Sequence, residues 1–194
     1  MDLKEFKKIE ITHFSDINQI NYVNGEVDQL IHLDDSAMKV FRDFKEHKAL
    51  TVRADVNIRD VKAKMIDNHK DFILVTNSDD KIIGTIALHY IEGQALQERA
   101  RSLSVKPIDL SANDAKISLA HVNFTSYNYV KETKIGHILN TLVNYDRHHM
   151  VVYDKDESGE KYIRGYFSLP FIRRKLGLEL THADYRMNTL KKDL

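Results

Sequence analysis

This chain writes one nine-residue phrase twice. Ile82–Tyr90 reads IIGTIALHY and Ile163–Phe171 reads IRGYFSLPF, 81 positions apart. Both run Ile, any residue, Gly, any residue, apolar, small, Leu, any residue, aromatic. A phrase repeated at that distance implies two copies of one folding unit. A unit of roughly 60 residues is too small to bury a good core alone, so the copies must pack on each other.

The repeat extends upstream. Ala54–Val75 lies without gaps over Lys131–Val152 at an offset of 77. Ile58, Val61, Met65 and Ile66 then match Ile135, Ile138, Leu142 and Val143, and the spacing i, i+3, i+7, i+8 predicts an amphipathic helix in each copy. Short β-rich runs follow at Phe72–Thr76 and Met150–Tyr153. The polar turns after them, NSDDK and the longer DKDESGEK, account for the change of offset; a surface hairpin absorbs such an insertion at small entropic cost. The nine-residue phrase then pairs back through the hairpin. Gly84 and Gly165 mark places where a side chain would obstruct close packing. Ala87 and Ser168 begin a closing helix, with Ser168 a good N-cap and Pro170 tolerated in the first turn.

Each copy reads strand, helix, strand, strand, helix. Leu50–Arg53 opens the first copy, and Lys116–Val122 is the expected opening strand of the second. The expected fold class is α+β: two βαββα repeats packed sheet to sheet about a pseudo-twofold axis. The expected boundaries are an N-terminal helical arm (1–45), a first repeat (46–104), a second repeat (105–178) and a short C-terminal tail (179–194). Asp35–Glu46 reads as a capped helix directing Met38, Phe41 and Phe44 inward. In the tail, Tyr185, Met187 and Leu190 are candidate packing residues.

Several function classes are disfavoured. The 29 basic and 29 acidic residues cancel, so no whole-chain field draws the chain to nucleic acid or an anionic membrane. Basic clusters such as Arg173–Lys175 read as solvated helix faces. No run approaches 18 apolar residues, and the first twenty residues lack a secretory pattern. Cysteine is absent, which excludes disulfides and thiolate chemistry and makes the cytoplasm the expected location. The ten histidines show no metal-binding spacing. Asp34-Asp35 and Asp79-Asp80 read as solvated turns or caps. Phe124, Tyr127 and Tyr129 read as local packing. With no phosphate loop or nucleophile elbow, an enzyme is not expected.

The doubled pattern resembles a tandem pair of CBS domains, on the residues ALTVRADVNIRDVKAKM, DFILVTNSDDKIIG and HHMVVYDKDESGEKYIRGYFS. The likeness covers about Lys45–Gly177, and SVKPIDLS (Ser104–Ser111) looks like the stretch that introduces a second repeat. The resemblance implies a regulatory module whose inter-repeat cleft holds an adenosine-type ligand: AMP, ADP, ATP or S-adenosylmethionine. It also implies a Ser or Thr three residues after the glycine for phosphate or ribose, then an Asp three further on for the ribose diol. This chain has Ala87 and Tyr90 in the first copy, and Ser168 with Phe171 in the second. The resemblance further places basic residues before the first hairpin strand, where Arg147, His148 and His149 stand. The candidate ligand-binding residues are therefore Ser168, Arg147, His148 and His149. The alternative for the two histidines is one packed and one wet on opposite strand faces. Two functions follow. One is a ligand sensor acting on a protein partner in trans; the other is a ligand-free dimerisation or docking protein with degenerate sites. A C2 homodimer with the N-terminal arm in its contact is expected in either.

Overall fold

The structure is a computed structural model that describes residues 31–178. The tail residues Tyr185, Met187 and Leu190, and most of the arm proposed for a dimer contact, lie outside the described residues. In chain order the elements are β1 (Arg42–Asp43), β2 (Thr51–Arg53), α1 (Ile58–Asp67), β3 (Phe72–Thr76), β4 (Ile82–Ala87), α2 (Leu88–Glu92) and α3 (Gln94–Ser102). Then follow α4 (Ala112–Ala115), β5 (Ile117–Ser118), β6 (Phe124–Ser126), α5 (Tyr127–Val130), α6 (Ile135–Asn144), β7 (His149–Lys155), β8 (Lys161–Ser168) and α7 (Leu169–Lys175). They form two four-stranded sheets, ordered β2-β3-β4-β5 and β1-β8-β7-β6. The fold is α+β, with one sheet and its helices from each repeat.

The two hairpins share their register. Phe72 pairs with Ala87 and Val75 with Gly84; His149 pairs with Ser168 and Val152 with Gly165. Each hairpin shifts register at the same place, after Val75 and after Val152, which leaves Ile83 and Arg164 as the extra residues of matching bulges. The helices before them end alike. His69 and Asp146 have positive φ of 51° and 53°. The next amides, Lys70 and Arg147, bond back to the Met65 and Leu142 carbonyls at 2.9 Å each, which closes the last turn in a Schellman arrangement.

The helix stripes are buried as their spacing requires: Ile58, Val61 and Met65 in α1, and Ile135, Ile138 and Leu142 in α6. Ile66 differs. It is 49% exposed where Val143 is 3% exposed, because Ile66 lies on the wall of an open cleft. Every residue of β3 is buried. Ile73 and Val75 join the core of the first repeat, while Phe72 and Leu74 join Val151 and Tyr166 in a third cluster where the sheets meet.

Two expectations are corrected. Asp35–Glu46 is not one helix. A 3-10 turn, Ala37–Val40, is capped by the Ser36 hydroxyl and gives way to β1. The strand wins because β8 supplies backbone partners (Arg42 to Tyr166, Asp43 to Gly165) and the Asp43 carboxylate meets Arg164. Phe41 is still buried, and Met38 and Phe44 still pack inward. The opening strand of the second repeat is β6, parallel to β7, and not Lys116–Val122. Ile117–Ser118 is instead claimed as β5 by the open edge of β4 in the first sheet.

The second correction reveals an exchange. β1 precedes the first repeat but completes the second repeat's sheet, while β5 precedes the second and completes the first's. The repeated glycines make this possible. A Cβ on Gly84 would stand 2.5 Å from the Ile117 carbonyl oxygen, and one on Gly165 closer still to that of Arg42. No real Cβ comes so near, so each crossing strand needs its glycine.

Candidate functional site

The chemistry gathers where the repeats face each other, and it begins with the end of β8. Ser168 is fully buried and caps α7, its hydroxyl oxygen accepting from the Phe171 amide at 3.2 Å. The hydroxyl donates to Asp71 Oδ2, across the seam in the first repeat. Asp71 stands at the mouth of β3, just after the turn that ends α1. It also accepts a long bond of 3.4 Å from the Tyr166 hydroxyl. His149 Nε2 lies 3.3 Å from Asp71 Oδ2, off the line of a hydrogen bond. Burial pushes the Asp71 carboxyl up, but His149 and the Ser168 hydroxyl outweigh it and hold the group well below the usual carboxylate range. Burial and the Asp71 charge raise the Tyr166 hydroxyl.

A second contact lies opposite. His148 stacks on His89 of the first repeat, ring centroids 3.6 Å apart and planes 24° apart. His149 packs between this pair and the aromatic pair Phe72–Tyr166, 6.0 Å from His89 and 5.1 Å from Phe72. Burial, then the neighbouring His148 and His149, lower the His89 pKa to about 3; burial, then His149, lower that of His148. Nδ1 of His148 is buried with no hydrogen-bond partner.

Beside Asp71 opens a cleft of about 390 Å³. Met65, Ile66, His69, Lys70, Asp71 and Leu88 of the first repeat form one wall, and Arg42, Pro170, Phe171 and Arg174 form the other. The Arg42 guanidinium sits 3.7 Å from the Phe171 ring centroid, and that of Arg174 lies 5.4 Å away. Such contacts are favourable because the ring face is electron-rich. The cleft thus carries Arg42, Lys70 and Arg174 against one carboxylate, and that carboxylate is already paired.

The sequence-predicted residues fall as follows. Ser168 and His149 meet at Asp71. His148 turns to His89. Arg147 is exposed and is not on the cleft wall. Lys70, which holds the equivalent place in the first repeat, lines the cleft instead. Asp71, His89 and Arg42 were not singled out, and Arg174 was read only as part of a solvated helix face. Only the offset of 77, which sets Lys70 and Asp71 against Arg147 and His148, hints at the first of them.

The CBS domain family model matches residues 41–91. That stretch of the chain is a CBS domain. Among curated proteins no relative was found. Of the solved structures, an uncharacterized conserved protein from Pyrococcus horikoshii is 16% identical, covering 78% of this chain and 98% of that one, with a TM-score of 0.52. A conserved CBS domain protein of unknown function from Thermoplasma acidophilum is 15% identical over 79% and 77% of the two chains, at a TM-score of 0.49. The CBS domain of a bacterial CNNM/CorC family Mg2+ transporter, in complex with ATP, is 12% identical over 76% and 92%, at 0.48. The likeness to the Pyrococcus protein is one of fold. Among the described residues of this CBS-domain protein, no group of three His, Cys, Asp or Glu is arranged to hold a metal ion. Among the same residues, no helix is long and apolar enough to cross a membrane.

Proposed function

We propose that this CBS-domain protein is a regulatory module that binds a small anionic ligand of the adenosine type between its repeats. It reports to a protein partner in trans and catalyses no reaction. The observation that carries this reading is the cleft of about 390 Å³, walled by both repeats, with Arg42, Lys70 and Arg174 around the Phe171 ring. Three cations supply phosphate contacts, and a base can stack on Phe171 once Arg42 swings to the phosphate. Because both repeats line the cleft, occupancy bears on how they sit against each other. Ser168 contributes through Asp71 and the α7 cap, since its own hydroxyl is buried and committed.

Phe171 in place of a carboxylate leaves the ribose diol without a charged acceptor, so affinity is modest. Charge-assisted hydrogen bonds contribute about 1.5–3 kcal/mol each. Melting curves with AMP, ADP, ATP and S-adenosylmethionine test the proposal. A ligand at about 100 times its Kd adds roughly 2.7 kcal/mol, and Lys70→Ala with Arg174→Ala should remove that shift. The second reading, a docking protein without a ligand, is favoured by Ala87, Tyr90 and Phe171 standing where ribose and phosphate contacts would be needed. It becomes the better one if all four compounds at millimolar concentration leave melting unchanged. Under either reading the protein works in the cytoplasm as a C2 homodimer, and light scattering at tens of micromolar tests the assembly.

A further inference from the structure

Three imidazoles meet across the seam between the repeats: His89 at the start of α2, His148 just before β7, and His149 within it. None belongs to the wall of the cleft. The charged and titratable groups facing them come from each neighbouring element. Asp71 at the mouth of β3 acts on all three, and Asp146 from the turn after α6 and Arg173 from α7 act on His148. Tyr166 of β8 lies 5.9 Å from His149, ring to ring. Among the described residues one carboxylate, Asp71, lies within ion-pairing distance of the cluster, at His149, and it also accepts from the Ser168 hydroxyl.

We propose that the His89–His148 stack, backed by His149, is a proton-sensitive latch between the repeats, closed while His89 and His148 are neutral and opened by acid. The geometry gives the reason. Two stacked rings at 3.6 Å pack well when neutral, but among the described residues no carboxylate forms an ion pair with either, and a second charge repels the first. Charging therefore favours a form in which the rings part and reach water. The sign follows from linkage. Rings held below their ordinary pKa by burial, and then by a neighbouring imidazole, bind protons more weakly when closed than when open, so acid draws the population to the open form. The latch requires no ligand, so it stands or falls independently of the nucleotide reading. Its opening would loosen α2, and with it Leu88 on the cleft wall.

The test uses the full chain without nucleotide. Imidazole signals of His89 and His148 are followed by NMR between pH 7.5 and 5.5, together with amide exchange in Leu88–Ile91 and Met150–Val152, every exchange rate being divided by the intrinsic rate at the same pH to give the opening constant. Both rings should stay uncharged in the closed form, while exchange through the open form rises up to about tenfold for each histidine held neutral. The variant His89→Gln with His148→Gln should show an opening constant with little dependence on pH over the same range. Either ring charging at ordinary histidine pH, with exchange at the seam unchanged, overturns the proposal. So does a double variant with the same acid response as the parent chain. If the double variant does not fold, the titration of the parent chain decides alone.

Discussion

Asp71 of the first repeat and His148 of the second hold the same place, after a closed helix turn and before a buried strand. They meet different partners. Asp71 reaches Ser168, where the second repeat offers a hydroxyl at a helix start; His148 faces the end of β4, where Ala87 offers none, and stacks on His89 instead. The bulges differ in the same sense. Arg164 of the second repeat donates to both Asp43 oxygens at 2.8 Å and to Asp154 at 3.2 Å, whereas Ile83 of the first packs against that repeat's apolar core. One backbone plan therefore carries a hydrogen-bonded charge at one end of the seam and a stack of neutral rings at the other. The backbone tolerates either, because strand register and glycine contacts, not side-chain chemistry, set the geometry.

The difference is most sharply tested at Arg164. Its side chain is 12% exposed and that of Asp43 is 8%. Removing one partner leaves a buried charge, so Arg164→Leu should cost about 3–5 kcal/mol in urea unfolding. Asp43→Leu with Arg164→Leu should recover much of that, giving the second repeat an apolar bulge like the first's. The shared part of the plan comes next. Gly84→Ala and Gly165→Ala should each cost about 1–3 kcal/mol, because the crossing strand must shift to admit a methyl group. A large cost at one glycine and none at the other would break the equivalence of the repeats.

Smaller effects belong to the seam itself. Ser168→Ala loses a helix cap and a bond to Asp71 and should lower stability by about 1–2 kcal/mol. The mirrored change, Ala87→Ser, should have a smaller net effect, because a new cap on α2 offsets the burial of a hydroxyl with no carboxylate opposite it. Acid separates the two ends without mutation. His89 and His148 have lowered folded pKa values, so their share of stability is lost as pH falls below about 6.5. Asp71 is lowered from the carboxylate range, so its share persists above about 3.8 and is lost only below that. Asp71→Asn should remove the second loss and leave the first, as equilibrium unfolding at several pH values would reveal.

Much of this was legible in the sequence for a definite reason. Helices α1 and α6, both hairpins and both glycines announce themselves because each is written twice, and a one-residue slip would expose an apolar face. The exchanged strands were not legible. Arg42–Asp43 and Ile117–Ser118 are two residues each, too short to carry a period, and only the open edges of β8 and β4 select them. The site was half legible. Ser168 as a cap follows from local pattern, but its bond to Asp71 joins residues in different repeats, which no local pattern records. The same holds for His148 against His89.

The strand exchange also limits how far any signal can travel. Each half of the molecule keeps a piece of the other's sheet, as two clasped hands each hold the other's fingers. The proposed anion or proton, acting at the seam, would tilt the halves, but full separation would require unthreading β1 from β8 and β5 from β4. The exchange therefore confines movement between the halves to small angles, as two pages stitched at both margins can flex but not open.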